Sequence, residues 1–308
     1  MNVAYQKFSG VFLFVILIIA AMPLSAATEG YIGINTSLSQ WQMGLASGKT
    51  VQLFGINQQT NKPDPLLYMA GISASVVYNK TWALTYQGEV GTAKPQITLT
   101  GQDTSLSPTA DITLAADTSI VRTDHSFAVS RSLGTTGFSL FAGAKIQWFG
   151  YKQDDGKFTQ SQDGVVTLSV PFSIGQNILN FGPAAGVTYT FCLYGKIFGA
   201  LQAGFIYFPG QYRASMSAQI TPTQKVENEV DEKFYGIGAT GLVSVIIPLG
   251  ERVLLQLAGR GQYYSARTLE GSVTLQTKTK TTTTPSATMD NATDLMLGGQ
   301  LAVICKVF

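Results

Sequence analysis

Charged residues are scarce in this chain, and no long apolar run follows its first 27 residues. Only 12% of the residues are charged, and 20 Lys and Arg nearly balance 18 Asp and Glu. This balance provides no basic surface for nucleic acid, so we expect no nucleic-acid partner. A membrane-spanning helix needs about 20 consecutive apolar residues, and residues 28–308 contain no such run. The two absences exclude a nucleic-acid-binding protein and a helical membrane protein.

The first 27 residues have the pattern of a secretory signal peptide. Lys7 supplies the positive charge, residues 11–21 form a short apolar core, and Ser25-Ala26-Ala27 fits the small residues of a cleavage site. The core is too short for a transmembrane anchor. No cysteine lies near the cleavage site, which excludes a lipid-anchored lipoprotein. We therefore expect residues 1–27 to be removed and residues 28–308 to form one domain.

The stretch from Leu66 to Gly91 predicts the architecture in a single hairpin. Apolar and aromatic residues alternate with small or polar ones, so that one strand face runs from Tyr68 to Tyr78. At roughly 3.3 Å per residue and a tilt near 40°, the spacing of these two tyrosines projects to about 25 Å, the height of the apolar band on a transmembrane barrel. After a turn at Asn79-Lys80 the alternation repeats.

The same alternation predicts ten strands that are joined by short and long connections in turn. Long strands, short turns and long loops are typical of an all-β, transmembrane, antiparallel up-and-down barrel with periplasmic turns and extracellular loops. The alternative is a soluble β-sandwich, whose strands are usually only about 5 or 6 residues long. The short turns are predicted at residues 79–80, 134–137, 193–195 and 250–252, and the long polar loops at about residues 44–65, 92–120, 152–177, 209–233 and 266–292.

The two cysteines, Cys192 and Cys305, raise the question of a disulfide in an oxidising compartment. They fall on the sixth and tenth predicted strands, which are not neighbours in a ten-stranded ring, and the alternation places them on opposite faces. Because Cα atoms more than about 7 Å apart cannot be bridged, we predict two free thiols.

With these features residues 28–308 resemble the outer-membrane β-barrel proteins of Gram-negative bacteria. Proteins of that class commonly end in Phe or Trp, which the barrel-assembly machinery reads, and this chain ends in Phe308. Lys306 and Gln300 share its strand face, so either a bulge displaces Phe308 or the residue does not face lipid. The resemblance implies a location in the outer membrane, contact with its lipids and lipopolysaccharide, and assembly by that machinery. We expect no cofactor.

The single histidine, His125, prompts a comparison with the omptins, ten-stranded outer-membrane proteases that use an Asp-x-His pair. That spacing does not occur here, because Asp124 and His125 are adjacent and therefore point to opposite sides of a strand. A general base must share a site with its partner. We therefore predict that the protein is not an enzyme.

Four acidic residues, Glu227, Glu229, Asp231 and Glu232, lie close together before the eighth predicted strand. They are either the solvated end of a loop or a divalent-cation site at the lipopolysaccharide surface. Their spacing is not that of a calcium-binding loop, so we predict no resident metal.

Charged residues of both signs are predicted to face the lumen. Such charges form a paired plug, which a low-dielectric interior tolerates, or they line a water-filled pore and set its selectivity. The function we expect is porin-like passage of small solutes, and the alternative is a closed barrel with a structural or surface-binding role through its long extracellular loops. The predicted lumen residues are Glu89, Arg122, Asp124, Lys145, Lys196 and Arg260.

Overall fold

The computed structural model describes residues 27–42, 58–59, 66–94, 96–103, 110–221, 224–286 and 289–308. The predicted signal peptide therefore lies outside the described residues, except for Ala27. Within these ranges no helix is long and apolar enough to cross a membrane. The strands are β1 (Ala27–Gln42), β2 (Gln58–Gln59), β3 (Leu66–Tyr78), β4 (Trp82–Ala93), β5 (Gln96–Asp103), β6 (Ala110–Ser132), β7 (Phe138–Gln162), β8 (Val165–Tyr194), β9 (Ile197–Thr221), β10 (Gln224–Pro248), β11 (Val253–Gln276), β12 (Thr281–Pro285) and β13 (Thr293–Lys306).

Ten of these strands form a closed antiparallel ring. The order around the ring is β6, β4, β3, β1, β13, β11, β10, β9, β8 and β7, and β7 pairs with β6 again. The first and last strands join the ring to itself, because β1 pairs with both β13 and β3. The short strands β2, β5 and β12 pair outside this ring. The predicted ten-stranded antiparallel barrel is confirmed.

Tight turns close one end of the barrel, which we call the periplasmic end. Asn79 and Lys80 both adopt positive φ angles, 50° and 56°, as a two-residue hairpin turn requires. Glycines with positive φ occupy the next two turns, at Gly134, Gly137 and Gly195. The first and last strands also meet at this end, where Tyr31 pairs with Lys306. The four predicted turns are found, although the third lies at Gly195-Lys196 because β8 continues to Tyr194.

The predicted long loops are wrong in four of the five places, because the chain there continues as paired strand. For example, β7 runs to Gln162, a turn follows at Asp163-Gly164, and β8 begins at Val165 and continues for 30 residues. Backbone pairing does not depend on side-chain polarity, so Ser- and Thr-rich segments extend the sheet when their inner face stays apolar. The fifth predicted loop, at residues 44–65, lies outside the described residues apart from β2.

The outer face of the lower barrel is apolar. Side chains such as Ile34, Leu140 and Phe205 are 66%, 49% and 53% exposed, which places large apolar groups where lipid surrounds a transmembrane barrel. Aromatic rings border this band at both ends, with a contact of 4.5 Å between the ring centroids of Phe138 and Tyr189 at the periplasmic end. The upper border is formed by Tyr68, Trp148, Tyr207, Tyr235 and Tyr263.

Above the band the pattern reverses, and the apolar side chains point inward. The extended upper parts of β6 to β11, residues 110–120, 150–162, 165–178, 211–221, 224–234 and 264–276, form what we call the extracellular wall. A buried cluster, which we call the apolar cap, fills the lumen inside and just below it. Its members include Leu67, Met69, Ile120, Phe149, Ile174, Phe208, Tyr212, Phe234 and Tyr264.

A bulge at the end of the chain decides where Phe308 points. Gly30 N–H donates to the carbonyl of Phe308 at 3.0 Å, while Val307 N–H donates to the carbonyl of Gly30 at 2.8 Å. Val307 and Phe308 thus both lie opposite Gly30, which is the arrangement of a β-bulge. The Phe308 ring occupies the space that a Cβ would take at Gly30. Gly30 alternates with the outward Ile32, so the ring lies on the outer face of the barrel. Of the two alternatives left open by the sequence, the bulge is the one found.

Both cysteines are free, as predicted, and both are exposed. Cys192 lies near the end of β8 and Cys305 near the end of β13, and in the ring β9, β10 and β11 separate these strands.

Gly143 marks a close approach of β6 and β7 that tests the packing of the ring. A Cβ at this position would overlap the carbonyl oxygen of Phe127, whereas a Cβ at Gly259 meets nothing within 4 Å. We expect Gly143→Ala to lower the free energy of unfolding by about 1–3 kcal/mol, because the strands must separate to admit the methyl group. Urea unfolding in lipid vesicles measures the change.

Gly259→Ala is the matched control and is expected to leave the stability equal or slightly higher, since alanine restricts the unfolded chain. Equal stability of the two variants would mean that the sheet does not pack as tightly at Gly143 as described.

Candidate functional site

Six charged side chains from five strands meet in one cross-section of the lumen, which we call the charged layer. Three are acidic and three are basic, so that the formal charges cancel. The members are Glu89 on β4, Arg122 and Asp124 on β6, Lys145 on β7, Arg260 on β11 and Asp294 on β13.

Five of the six predicted lumen residues lie in this layer, and Lys196 does not. Lys196 is exposed in the turn between β8 and β9, where strand alternation no longer directs side chains. Asp294 belongs to the layer but was not predicted. It shares its strand face with Met296 and Gln300, so the alternation of the last strand contained the signal.

Arg122 is the centre of the layer and is fully buried. Its guanidinium donates to both carboxylate oxygens of Asp124, at 3.1 and 3.2 Å, and lies 3.6 Å from Asp294. The guanidinium carbon also lies 5.1 Å from the Trp41 ring centroid and 4.5 Å from that of Phe149, within the range of cation–π attraction. Trp41 Nε1–H in turn donates to Asp294. One buried cation therefore holds two carboxylates and two rings.

Arg260 and Glu89 form a second ion pair in the layer, between strands on opposite sides of β1, β3 and β13. Arg260 also donates to Ser37 Oγ at 2.8 Å, while Glu89 accepts from the side-chain amide of Gln300 at 3.1 Å. Gln87 donates to the same Glu89 oxygen at 3.2 Å. Glu89 is only 3% exposed, so the buried carboxylate is satisfied by one cation and two amides.

Two glutamines connect these pairs to Lys145. Gln147 donates to Asp124 at 3.1 Å and to Gln262 at 3.2 Å, and Gln262 donates back to Gln147 at 3.1 Å. Lys145 Nζ donates to the carbonyl oxygen of the Gln262 side chain. Among the described residues, no carboxylate lies within 4.0 Å of the Lys145 ammonium. Lys145 is thus the only cation of the layer that lacks a direct ion pair with a described residue.

The apolar cap lies directly above the charged layer. Ile120 follows Arg122 on the inner face of β6, and both are buried completely. Tyr264 packs edge-on against Phe208, with 5.7 Å between ring centroids, and its hydroxyl accepts a hydrogen bond from Asn180 at 3.3 Å. Side chains therefore fill the lumen on the extracellular side of the layer.

A cavity of about 290 Å³ lies in the lower barrel, with the charged layer as its roof. We call it the periplasmic chamber. Its walls are hydroxyl, amide, aromatic and aliphatic side chains, and Lys145, Arg260, Glu89 and Asp124 reach it from the layer. The neutral polar wall residues include Thr85, Gln87, Ser126, Ser130, Thr188, Gln202 and Thr240.

Asp124 and His125 face opposite sides of β6, as predicted. Asp124 is held by Arg122 inside the lumen, whereas His125 is half-buried and lies 3.0 Å from the hydroxyl of Tyr86. The two side chains do not share a site, so they do not form an acid–base pair.

The four acidic residues before the eighth predicted strand do not lie in a loop. They lie on β10, where Glu227, Glu229 and Asp231 alternate along the outer face and Glu232 points inward. Glu232 accepts a hydrogen bond from the backbone N–H of Met289 at 2.9 Å, and from the hydroxyl of Ser286. The buried carboxylate of Glu232 therefore binds Ser286 and Met289, which precede β13, to the extracellular wall.

Comparison with known proteins identifies the fold without identifying a family. No protein-family model matches the chain, and no curated protein matches its sequence. The outer-membrane protease OmpT from Escherichia coli superposes with a TM-score of 0.55 at 10% identity, over 91% of this chain and 97% of that chain.

Two further structures superpose too loosely to bear on the fold. The translocator domain of the autotransporter NalP from Neisseria meningitidis has a TM-score of 0.36 at 9% identity, over 98% of this chain and 96% of that chain. A FadL homologue from Pseudomonas aeruginosa has a TM-score of 0.35 at 8% identity, over 91% and 90%.

The closed ring, the apolar outer band and the similarity to OmpT define the class of this protein. It is an all-β, antiparallel up-and-down barrel of the outer-membrane type. An identity of 10% shows the fold alone, so the protease activity in the name of OmpT is a property of that protein.

Removing the central cation tests the charged layer. Arg122→Ala leaves Asp124 and Asp294 buried without their cation, and we expect it to lower the free energy of unfolding by about 3–5 kcal/mol. The change is measured by urea unfolding in vesicles. Arg252→Ala, at an exposed arginine in a periplasmic turn, is the matched control and is expected to change stability by less than about 0.5 kcal/mol. A similar small effect for both variants would contradict the central role of Arg122.

Proposed function

We propose that this protein is an outer-membrane barrel that is closed at rest and acts through its extracellular wall, in a structural or surface-binding role. The observation that carries the proposal is the charged layer with the apolar cap above it. Arg122 is fully buried and ion-paired there, and apolar side chains occupy the lumen immediately above.

Physical chemistry supports a closed resting state. A water path through the layer requires the buried ion pairs to separate, and an ion that stays in a low-dielectric interior without its partner is unfavourable. The same path would also hydrate the apolar cap, which loses its favourable burial. Thermal motion alone therefore opens the lumen rarely.

The outer face of the extracellular wall has the composition of a water-exposed surface. It carries exposed ion pairs, such as Arg213 with Asp231 at 3.3 Å and Lys233 with Glu270. The hydrogen bond from Lys233 to Glu270 raises the pKa of Lys233, so this exposed lysine stays charged.

The tip of the β7–β8 hairpin supports a surface-binding role. Val165, Val166 and Leu168 are 66%, 59% and 39% exposed there, beyond the apolar band and the level of the lipid. Exposed apolar groups on a protruding tip favour contact with a partner over contact with water.

We propose the partners of an outer-membrane barrel for this protein, and a role without enzymatic chemistry. Outer-membrane lipids and lipopolysaccharide would contact the apolar band and the base of the wall. The exposed ring of Phe308 on the outer face supports recognition of the last strand by the barrel-assembly machinery. The engagement of Asp124 by Arg122, away from His125, supports a non-enzymatic role.

Porin-like passage of small solutes is the second candidate. It is favoured by the periplasmic chamber, which brings an aqueous cavity up to Lys145 and Arg260. Passage would require the charged layer and the cap to rearrange, so it would be gated.

Single-channel conductance of the refolded mature chain in a planar bilayer distinguishes the two candidates. We expect a silent membrane, because the layer and cap exclude water. Flotation of the protein with vesicles and circular dichroism serve as the controls for insertion and folding. Steady stepwise conductance would contradict the closed barrel, and a change of ion preference in the Lys145→Glu and Arg260→Glu double variant would then establish the passage.

Assembly in cells tests the role of the last residue. We expect Phe308→Ala to reduce the folded barrel in the outer-membrane fraction several-fold, because it removes the terminal ring from its place over Gly30. Phe205→Ala is the control, because it removes a similarly exposed aromatic side chain from the outer face of β9, far from the end of the chain. The measurement is the amount of heat-modifiable protein on gels, and equal amounts for both variants would argue against a terminal signal.

A further inference from the structure

The three cations of the charged layer differ in the number of carboxylates that they contact. The cation without one in the described part of the chain, Lys145, lines the periplasmic chamber. Arg122 has two carboxylates, Asp124 and Asp294, and Arg260 has one, Glu89. Lys145 has none within 4.0 Å among the described residues, and its ammonium donates to the side-chain carbonyl oxygen of Gln262. An ammonium has three donors. The two carboxylates that pair with Arg122 carry one more charge than it does. The hydrogen bonds from Lys145 reach one of them, Asp124, through the side chains of Gln262 and Gln147.

Lys145 lines the chamber, so its charge is available to a molecule inside it. The other cation at the roof, Arg260, is engaged by Glu89 and Ser37. Below the roof the lining side chains are neutral, with hydroxyl and amide groups from several strands. The chamber therefore offers a ligand one ammonium group without a direct ion pair to a described residue, together with neutral hydrogen-bonding groups.

An aromatic side chain forms part of the chamber wall. Phe141 on β7 lies against Gly186 of β8 and Gly204 of β9, where a Cβ would come within 2.7 and 2.9 Å of the ring. The two glycines allow the ring to lie against the sheet. Ile206 and Leu242 extend this apolar wall. A ligand bound at Lys145 thus meets an aromatic and aliphatic surface beside it.

We propose that the periplasmic chamber binds a small organic carboxylate with one negative charge and a compact aromatic or apolar body. The carboxylate pairs with Lys145, and the body packs against Phe141 and the aliphatic wall. A cavity of about 290 Å³ is at the lower end of the range for small-molecule sites, which limits the ligand to a few more atoms than a single ring. Charge and size together exclude polyanions and large lipids.

Isothermal titration calorimetry of the refolded mature chain in detergent tests the site, with sodium benzoate as the probe. We expect saturable binding of one benzoate per chain and no saturable binding of benzamide, which has a similar shape but no charge. Lys145→Met should weaken benzoate binding at least tenfold, whereas Lys145→Arg should retain most of it. Lys196→Met removes an exposed lysine of the turn and should bind as the wild type does.

A second variant keeps Lys145 and fills the chamber. Ala184 lines the cavity, and Ala184→Leu should abolish benzoate binding by occupying the space. Circular dichroism and heat modifiability establish that each variant is folded, and the Ala184→Leu result decides the question if Lys145→Met does not fold.

Three results would overturn the proposal. They are no saturable benzoate binding to the wild type at about 10 mM, equally tight binding of benzamide, or binding that is unchanged in folded Lys145→Met or Ala184→Leu protein. Calorimetry tests the binding site in the chamber, and conductance tests whether the barrel is closed. Either hypothesis can therefore be rejected without the other.

Discussion

The enclosure of six charges inside a narrow barrel, four of them buried, is the constraint on which the rest of this structure depends. Ionised groups are tolerated in a low-dielectric interior only when each has a partner and hydrogen bonds. Here the partners come from strands far apart in the chain, since Glu89 and Arg260 are 171 residues apart. The ion pairs form only when the ring closes in one register. A slip of a single residue would turn each charge of that strand toward lipid.

The charged layer also lies where the barrel changes character. Below it, the outer face is apolar and the lumen holds a polar chamber, as expected where the surrounding solvent is lipid. Above it, the inner face is apolar and the outer face carries ion pairs, as in a water-soluble protein. The same strands therefore serve two solvents, and the layer together with the cap separates the chamber from the extracellular side. This separation favours a barrel that is closed at rest over an open pore.

The uneven pairing within the layer relates its structural role to binding. Arg122 and Arg260 are engaged by carboxylates and hold strands together, whereas Lys145 is held by an amide and lines the chamber. A cation that is held by a neutral amide and not by a carboxylate is better able to accept an additional anion. The upper wall and the chamber are then two separate surfaces, one on each side of the closed layer, and each is suited to a different partner.

The sequence by itself determined the parts of this fold that follow from period-two alternation and turn chemistry. These parts are the ten ring strands, the periplasmic turns and the inward direction of five charged residues from Glu89 to Arg260. The tertiary structure decided the features that need a neighbouring strand. The Ser- and Thr-rich segments became strand because neighbours pair with their backbone, and composition alone does not reveal that pairing. Which carboxylate each cation engages and where Trp41 contacts the layer depend on the register between strands, which no local pattern specifies. The bulge at Phe308 depends on its pairing with Gly30 in the same way.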